Sequence, residues 1–363
     1  MKKLLFVIPT LSGGGAERFV SNLSNHLSKK NYEICIVIFE DMKPYYDLDE
    51  KILVKSLGCK VERGSRFKAR LQIAWNILYR TVKFVRKEIK SFQPDVVMPF
   101  LPQADISCYL ASSKRRKYKL ICSERNDPNE RFWAVRKILG YIYKKSDMLV
   151  CQSNKVVDYY QSVDESKKVV IANPVDPRII PSFVSTESSP RIVSAGRLDF
   201  QKNYSLLINA FADAYPFLPK DTSLTIYGEG PERSQLEKLA VKKKMNNIIH
   251  FPGLSNNLLN EISDAALFVL CSDFEGFPNA LLEAMVVGLP VISTDFRTGT
   301  ARTLIGEMNG SIIPVGDQHK LCETIIEYMS DKSKRTEIRL NNRMLLEKYS
   351  VNTIAQKWES LFE

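Results

Sequence analysis

Two glutamates eight residues apart, Glu275 and Glu283, bracket the turn Gly276-Phe277-Pro278-Asn279 in the stretch DFEGFPNALLEAMVVGLPV. Glu275 follows ALFVLCS, which reads as a buried strand. Glu283 lies inside ALLEAMVV, a helix too apolar to be mostly exposed. A carboxylate there needs a partner, because an unpaired ion in an apolar interior is costly. No Lys or Arg stands three or four residues away on either side, which weakens the case for a helix salt bridge. Sugar hydroxyls would serve, since one carboxylate can accept from two adjacent hydroxyls.

Cations come from another segment, AGRLDFQKNYSLLINAF. Arg197 and Lys202 flank a strand-to-helix loop, at the strand end where open α/β sheets bind ligands. An arginine fork and an ammonium five residues apart can clamp a diphosphate, although taken alone they also read as two surface cations. Near the start, SGGGAERFVSNL sets consecutive glycines between a strand and a helix. Such a loop lets backbone approach a ligand and offers a helix N-terminus to an anion. It lacks the G-x-G-x-x-G spacing, so a tight turn explains it as well. A second glycine turn, YGEGPERSQLEKLA, reads as structural, with Pro231 in the first turn of the following helix. The lone D-x-D, Asp47-Leu48-Asp49, also reads as structural, and three isolated histidines offer no metal-ligand cluster.

The elements that must position these residues alternate along the chain. KLLFVIP, Ile34–Phe39, DVVMPF, KLICSE and DMLVCQS read as short apolar strands with helical patterns between them, including Ala16–Leu27. RIVSAGRL, SLTIYGEG, IIHFPG, ALFVLCS and PVISTD repeat the pattern later. Alternation of this kind predicts parallel sheets covered by helices. Between the two series, Asn173–Pro190 carries four prolines and four serines and reads as a linker. The expected architecture is α/β: two doubly wound domains, residues 1–175 and 176–348, facing across a cleft. Residues 349–363 read as a helix free to pack back on either domain, the first among them.

A chain of 363 residues, 44% hydrophobic and 26% charged, suits two soluble globular domains. Seven cysteines without a C-x-x-C pair read as buried, reduced thiols of a cytoplasmic protein. MKKLLFVIPT suits a first strand and not a signal peptide, and no apolar run approaches the roughly 18 residues of a membrane span. The net charge of +11 is uneven. Residues 1–175 hold 32 Lys and Arg against 18 Asp and Glu, net +14, which leaves net −3 for residues 176–363. The excess concentrates in KRRKYK, residues 114–119, and in 66–90, where eight basic residues face the single acid Glu88 and Leu71, Ala74, Leu78, Val82, Val85 and Ile89 recur at helical spacing. Such a face is either a solvated surface or a docking site for an anionic membrane or a phosphate-bearing acceptor. No base-reading motif supports nucleic acid.

The E-x7-E pair followed by GLPVISTD resembles the retaining GT-B glycosyltransferases of family 4. GGGAER, GRLDFQKN, YGEGPERSQLE, HFPGLSNN and EGFPNALLEAMVVGLPVI extend that resemblance over essentially the whole chain. With SERNDP, it is similar to the bacterial enzymes that build surface glycans on lipid-linked acceptors. The resemblance implies two Rossmann-like domains and transfer of a sugar, expected from a UDP-sugar, to an acceptor hydroxyl with retention and without a metal or other cofactor. It gives Glu283 the ribose hydroxyls and Glu275 the donor sugar's hydroxyls. Arg197 and Lys202 neutralise the diphosphate. The amides of Asn279, Ala280 and Leu281 meet the phosphates, and Gly14 and Gly15 close from the other domain.

Two departures stand out. Arg125 lies where many relatives place a sugar-contacting histidine, so it either touches donor or forms a structural ion pair. Gly299-Thr300-Ala301-Arg302 replaces a common G-P-x-E, setting an arginine where relatives carry a carboxylate. The resulting expectation is a cytoplasmic hexosyltransferase, peripheral on the inner face of the cell membrane, with a glycan acceptor on a polyprenyl diphosphate. An epimerase of the same architecture would want more acid/base groups than three histidines suggest. A non-catalytic sugar- or lipid-binding module is disfavoured by the joint presence of Glu275, Glu283, Arg197 and Lys202. A nicotinamide oxidoreductase lacks its fingerprint.

Overall fold

The computed structural model describes residues 1–41, 43–59, 67–113, 115–175, 189–342 and 344–363, with the backbone alone for 67–77. It divides into two compact units, Met1–Pro174 with Val351–Glu363, and Val175–Ser350.

Seven parallel strands build the first unit: β1 (Lys2–Ile8), β2 (Tyr32–Glu40), β3 (Leu53–Cys59), β4 (Val96–Pro99), β5 (Lys119–Ser123), β6 (Met148–Cys151) and β7 (Lys168–Val170). Helices α1 (Gly15–Leu27), α2 (Phe67–Phe92), α3 (Pro102–Ala111), α4 (Trp133–Lys145) and α5 (Asn154–Tyr159) connect them. The sheet order is β3-β2-β1-β4-β5-β6-β7. Leu4 to Ile8 of β1 are wholly buried, because helices cover both faces and a central parallel strand must be apolar on both sides.

The second unit repeats the plan with β8 (Ser189–Ala195), β9 (Ser223–Tyr227), β10 (Ile249–Gly253), β11 (Ala265–Leu270), β12 (Val291–Thr294) and β13 (Gly310–Ile313). These are ordered β10-β9-β8-β11-β12-β13, so β8 takes the place of β1 and β11 that of β4. Its helices are α6 (Tyr204–Ala214), α7 (Arg233–Lys242), α8 (Leu258–Ile262), α9 (Asn279–Val286), α10 (Thr300–Ile305), α11 (Gln318–Ser330), α12 (Lys332–Asn342) and α13 (Leu345–Lys348). The chain then returns to the first unit as α14 (Val351–Glu359). Trp358 of α14 is fully buried, 5.5 Å from the Phe19 ring of α1 and 6.1 Å from Phe100 after β4.

Three strands are not among those read from the sequence. β3 is an edge strand with mostly exposed side chains, and β7 and β13 are three and four residues long. Ser189 and Pro190, expected in the linker, begin β8, and residues 176–188 lie outside the described part. The basic segment 66–90 forms most of α2, with Val85 buried and Lys83, Arg86, Lys87 and Lys90 exposed. Arg66 and Lys114 lie outside the described residues, as do the side chains of Leu71, Ala74, Trp75 and Ile77. All seven cysteines are free thiols, six of them buried. Among the described residues, no helix is long and apolar enough to cross a membrane.

Candidate functional site

In the second unit the sheet order reverses between β8 and β11, which pair directly (Leu267 opposite Ile192, Phe268 opposite Val193). Loops leaving two such strands diverge, and the crevice at their C-terminal ends is where open α/β sheets hold ligands. Arg197 and Lys202 lie in the loop after β8, and Glu275 in the loop after β11. The two loops are stitched together. Asp273 N–H donates to Gln201 O at 2.9 Å, and the Asn203 side-chain amide donates to Asp273 Oδ1 at 2.9 Å. The Cys271 thiol donates to the carbonyls of Lys202 and Asn203 at 3.1 and 3.2 Å. Burial pushes that thiol up to about 12, so it keeps the proton it donates.

Glu275 is 7% exposed, and its carboxylate accepts from three side chains: Lys202 Nζ, Gln201 Nε2 at 3.2 Å and Ser272 Oγ at 2.8 Å. Thr298 Oγ1 donates to the Glu275 carbonyl at 2.9 Å and Thr300 Oγ1 to Gly276 O at 3.2 Å, fixing the turn that follows. Burying this carboxylate is tolerable because the cation and neutral donors saturate it. Arg197 differs from Lys202: its side chain is 73% exposed and its ion-pair contact is Asp199, at 3.6 Å.

Helix α9 begins at the end of the same turn. Pro278 at its N-cap supplies no capping side chain. Asn279 N–H donates to Phe277 O at 3.0 Å, and Leu282 N–H makes the first intrahelical bond, to Pro278 O at 3.1 Å. Of the three amides expected to face phosphates, that of Asn279 is therefore taken within the turn. Those of Ala280 and Leu281 are N-terminal donors of the helix. Glu283 sits one turn on, 7% exposed, within a helix whose residues from Leu281 to Val286 are all buried.

The second glycine turn positions the arginine loop. A Cβ on Gly228, at φ +136°, would lie 1.9 Å from Gly196 O, and one on Gly230 would lie 2.2 Å from Leu198 O. Leu198 N–H donates to Glu229 O and Glu232 N–H to Leu198 O, both at 3.0 Å. The departure at Gly299–Arg302 resolves locally: Arg302 grips Asp295 through Nη2 at 2.6 Å and Nε at 3.4 Å, on the surface. Sequence reasoning missed Gln201, Ser272, Thr298 and Thr300. Gln201, Ser272 and Thr300 stand inside segments already singled out, but what they touch follows only from the fold.

In the first unit, Gly14 caps α1 and Gly15 is its first residue. The carboxylate of Glu17 folds back over them. It accepts from Thr10 Oγ1 at 3.1 Å and Ser12 Oγ at 3.4 Å, and a Cβ on Gly14 would lie 2.3 Å from its Oε2. The start of α1 thus already holds an anion of its own. The D-x-D is pinned to α1, with Asn25 bonded to Asp47 O and Asp49 N, and the Asp49 carboxylate accepts from Lys51 N–H.

Arg125, just after β5, is buried. Its Nη1 donates to Asn173 Oδ1 at 2.6 Å, an acceptor shared with Gln152 Nε2 at 2.8 Å. The guanidinium lies 3.7 Å from the Phe19 ring centroid, 5.4 Å from that of Phe100 and 5.5 Å from that of Trp358. The neighbouring carboxylate, Glu124, instead takes both prongs of Arg131 and the Tyr160 hydroxyl. Arg125 is therefore held by aromatic faces and an amide oxygen, and burial lowers its pKa to about 9. Deeper in this unit, Asp105 of α3 accepts from the Tyr143 hydroxyl at 3.2 Å, and burial raises its pKa well above the usual carboxylate range. Among the described residues, no group of His, Cys, Asp and Glu is arranged to hold a metal ion.

Residues 13–179 match the family model described as Glycosyltransferase Family 4, and residues 175–344 match Glycosyl transferases group 1. The chain is 26% identical over 372 residues to a GalNAc-alpha-(1->4)-GalNAc-alpha-(1->3)-diNAcBac-PP-undecaprenol alpha-1,4-N-acetyl-D-galactosaminyltransferase of Campylobacter jejuni, covering 99% of this chain and 98% of that protein. It is 25% identical over 313 residues to the amylovoran biosynthesis glycosyltransferase AmsD of Erwinia amylovora, covering 84% of each. Among solved structures it shares the fold of Anabaena HepE in complex with UDP and glucose, with a TM-score of 0.78, 17% identity and 99% of each chain covered.

Proposed function

The chain belongs to the glycosyltransferases, joining a family 4 domain to a group 1 domain in a GT-B fold, and from that premise we propose its reaction. It moves a hexose from a UDP-sugar to a hydroxyl of a glycan carried on a polyprenyl diphosphate, with retention of configuration. It does so in bacterial surface-glycan synthesis, peripheral to the inner face of the cell membrane. The observation that carries this reading is the pairing of Lys202 with Glu275 between the loops after β8 and β11, the loops that also carry Arg197 and lead into α9. Both loops lie at the switch point of the second unit.

In this reading Glu283 accepts from the ribose hydroxyls and Glu275 from the donor sugar. Arg197, Lys202 and the Ala280 and Leu281 amides face the diphosphate, with Asn279 shaping the turn. Departure of the nucleoside diphosphate leaves negative charge on the leaving oxygen, and these donors stabilise it most in the transition state. The departing phosphate takes the acceptor's proton on the same face, so no protein base is needed. Lys202 begins paired with Glu275 and exchanges that partner for the diphosphate, which frees Glu275 for the sugar.

The decisive experiment is incubation with a panel of nucleotide sugars and a polyprenyl-diphosphate-linked glycan in detergent, with the product linkage read by NMR. Transfer with the α-configuration of the donor retained supports the reading. Inversion, or donor turnover to an epimer without transfer, overturns it. Glu275→Gln sharpens the partner exchange: the nucleoside diphosphate binds more tightly to the freed Lys202 while kcat falls. Equal losses of affinity and kcat would count against it.

A further inference from the structure

Helix α4 of the first unit carries an exposed face that the glycosyltransferase reading does not use. Trp133, Lys137, Tyr141 and Lys145 follow one another at intervals of four residues and so share one stripe. Lys137 Nζ lies 5.2 Å from the Trp133 ring centroid and Lys145 Nζ 6.0 Å from that of Tyr141, so aromatic and ammonium groups alternate along about 20 Å of helix. Phe132, which precedes the helix, is 67% exposed and Trp133 55%, with Ile138 and Tyr141 exposed beside them. Leu139, Ile142 and Tyr143 bury the opposite side and hold the helix to the unit.

Charge on the helix itself is of one sign, with the acids Glu130 and Asp147 only beyond its two ends. α4 contains Arg136, Lys137, Lys144 and Lys145 and no acidic residue. The KRRKYK loop abuts its C-terminal end, where Arg116 donates to Lys145 O at 3.3 Å and to Asp147 Oδ2 at 2.8 Å, and Arg115 and Lys117 are exposed. On the other flank Tyr109 of α3 lies 5.9 Å from Tyr141, with Leu110 exposed next to it. An aromatic patch of this kind left in water marks an interaction surface.

We propose that this face of α4 docks the protein on an anionic lipid bilayer. Trp and Tyr rings with an apolar body and a polar edge settle at the headgroup level, while lysines beside them meet lipid phosphates in the same plane. The cation–π pairs hold ring and ammonium side by side, so both reach that plane together. The surface differs from the basic runs that stand out in the sequence: the aromatic stripe belongs to neither, and KRRKYK only extends it. The inference rests on the lipid-linked acceptor and peripheral location proposed above and names the surface that serves them.

The test is flotation of the full chain with phosphatidylcholine vesicles, with and without phosphatidylglycerol, over a salt series. The parent is expected to float with the anionic vesicles only, and salt to release it. Phe132→Ser/Trp133→Ser should lower partitioning about tenfold or more, with its melting temperature unchanged. Lys137→Glu/Lys144→Glu/Lys145→Glu should lower it about fivefold per charge and remove the salt dependence. Vesicles should blue-shift the parent's tryptophan fluorescence but not that of the conservative variant Trp133→Phe. Variants that float like the parent would overturn the α4 surface while leaving a peripheral enzyme with another contact. A parent that prefers neither vesicle overturns the docking outright. So does a lipid-free dimer that the serine variant turns monomeric, since that gives the face to a second copy. Failure to glycosylate the acceptor in detergent is a separate result, because it defeats the reaction and not the surface.

Discussion

The two units share a sheet order, yet each fills the loops at its switch point differently. In the second unit, Lys202, Gln201 and Ser272 saturate Glu275, and two threonines anchor the adjoining turn. In the first, the equivalent region holds a buried arginine among Phe19, Phe100 and Trp358, and a glycine loop closed by Glu17. One end is a lattice of polar side chains around a buried ion pair. The other is an aromatic box that ties the last helix to the first. The same order over six strands therefore carries different polar designs, and the two halves of the chain differ likewise in net charge, +14 against −3.

The sharpest break of that contrast is Lys202→Ala. On the reading proposed above it removes a donor to the leaving diphosphate, and it strands a buried carboxylate, so kcat should fall about 10²- to 10³-fold. Stability of the second unit should fall by about 3 kcal/mol, measured by denaturant titration. Lys202→Ala/Glu275→Ala should recover much of the stability and none of the activity. Next comes Glu283→Gln, which should weaken nucleoside diphosphate binding about 10- to 100-fold, read by calorimetry, with little change in melting temperature. Arg125→Ala should do the reverse, costing about 1–2 kcal/mol in the first unit through its lost π contacts, seen as earlier proteolysis of α14. An Arg125 variant of normal stability but collapsed kcat would erase the distinction between the two ends.

The smallest effect concerns pH. Burial raises the pKa of Asp105 in the fold above its unfolded value of roughly 3.9. The stability it contributes is complete below the unfolded value and is lost as pH rises through the folded one. Asp105→Asn keeps an acceptor for Tyr143, and its advantage over the parent should grow from acidic to neutral pH in melting curves. A constant difference across that range would mean that Asp105 is ionised in the fold.

Most of the sheet was legible, because buried parallel strands must be short apolar runs and these alternate with helical patterns. β3, β7 and β13 were not, since their apolar runs are only two to four residues long and too short to stand out as strands. Glu275, Lys202 and Arg197 announced themselves by type and spacing, but the Lys202–Glu275 pair joins residues 73 apart and depends on β8 lying beside β11. Arg125 shows the limit from the other side. The sequence framed it as a ligand contact or half of an ion pair, and its aromatic partners come from α1, the end of β4 and α14, which no local pattern connects. The stripe on α4 was readable as W-x3-K-x3-Y-x3-K, yet counting charges draws the eye to denser basic runs.

The return of α14 to the first unit sets an order of events during synthesis. Trp358 fills the space between Phe19 and Phe100, so the first unit lacks part of its core until residues 351–363 have left the ribosome. The second unit lies wholly within the intervening stretch, which takes roughly 10 to 35 seconds to translate. For that interval the half made first waits with its arginine uncovered, while the half made second can already be complete. A nascent chain stalled just before Val351 should present a protease-resistant second unit joined to an unfinished first, a vulnerable state in which chaperones would find their substrate.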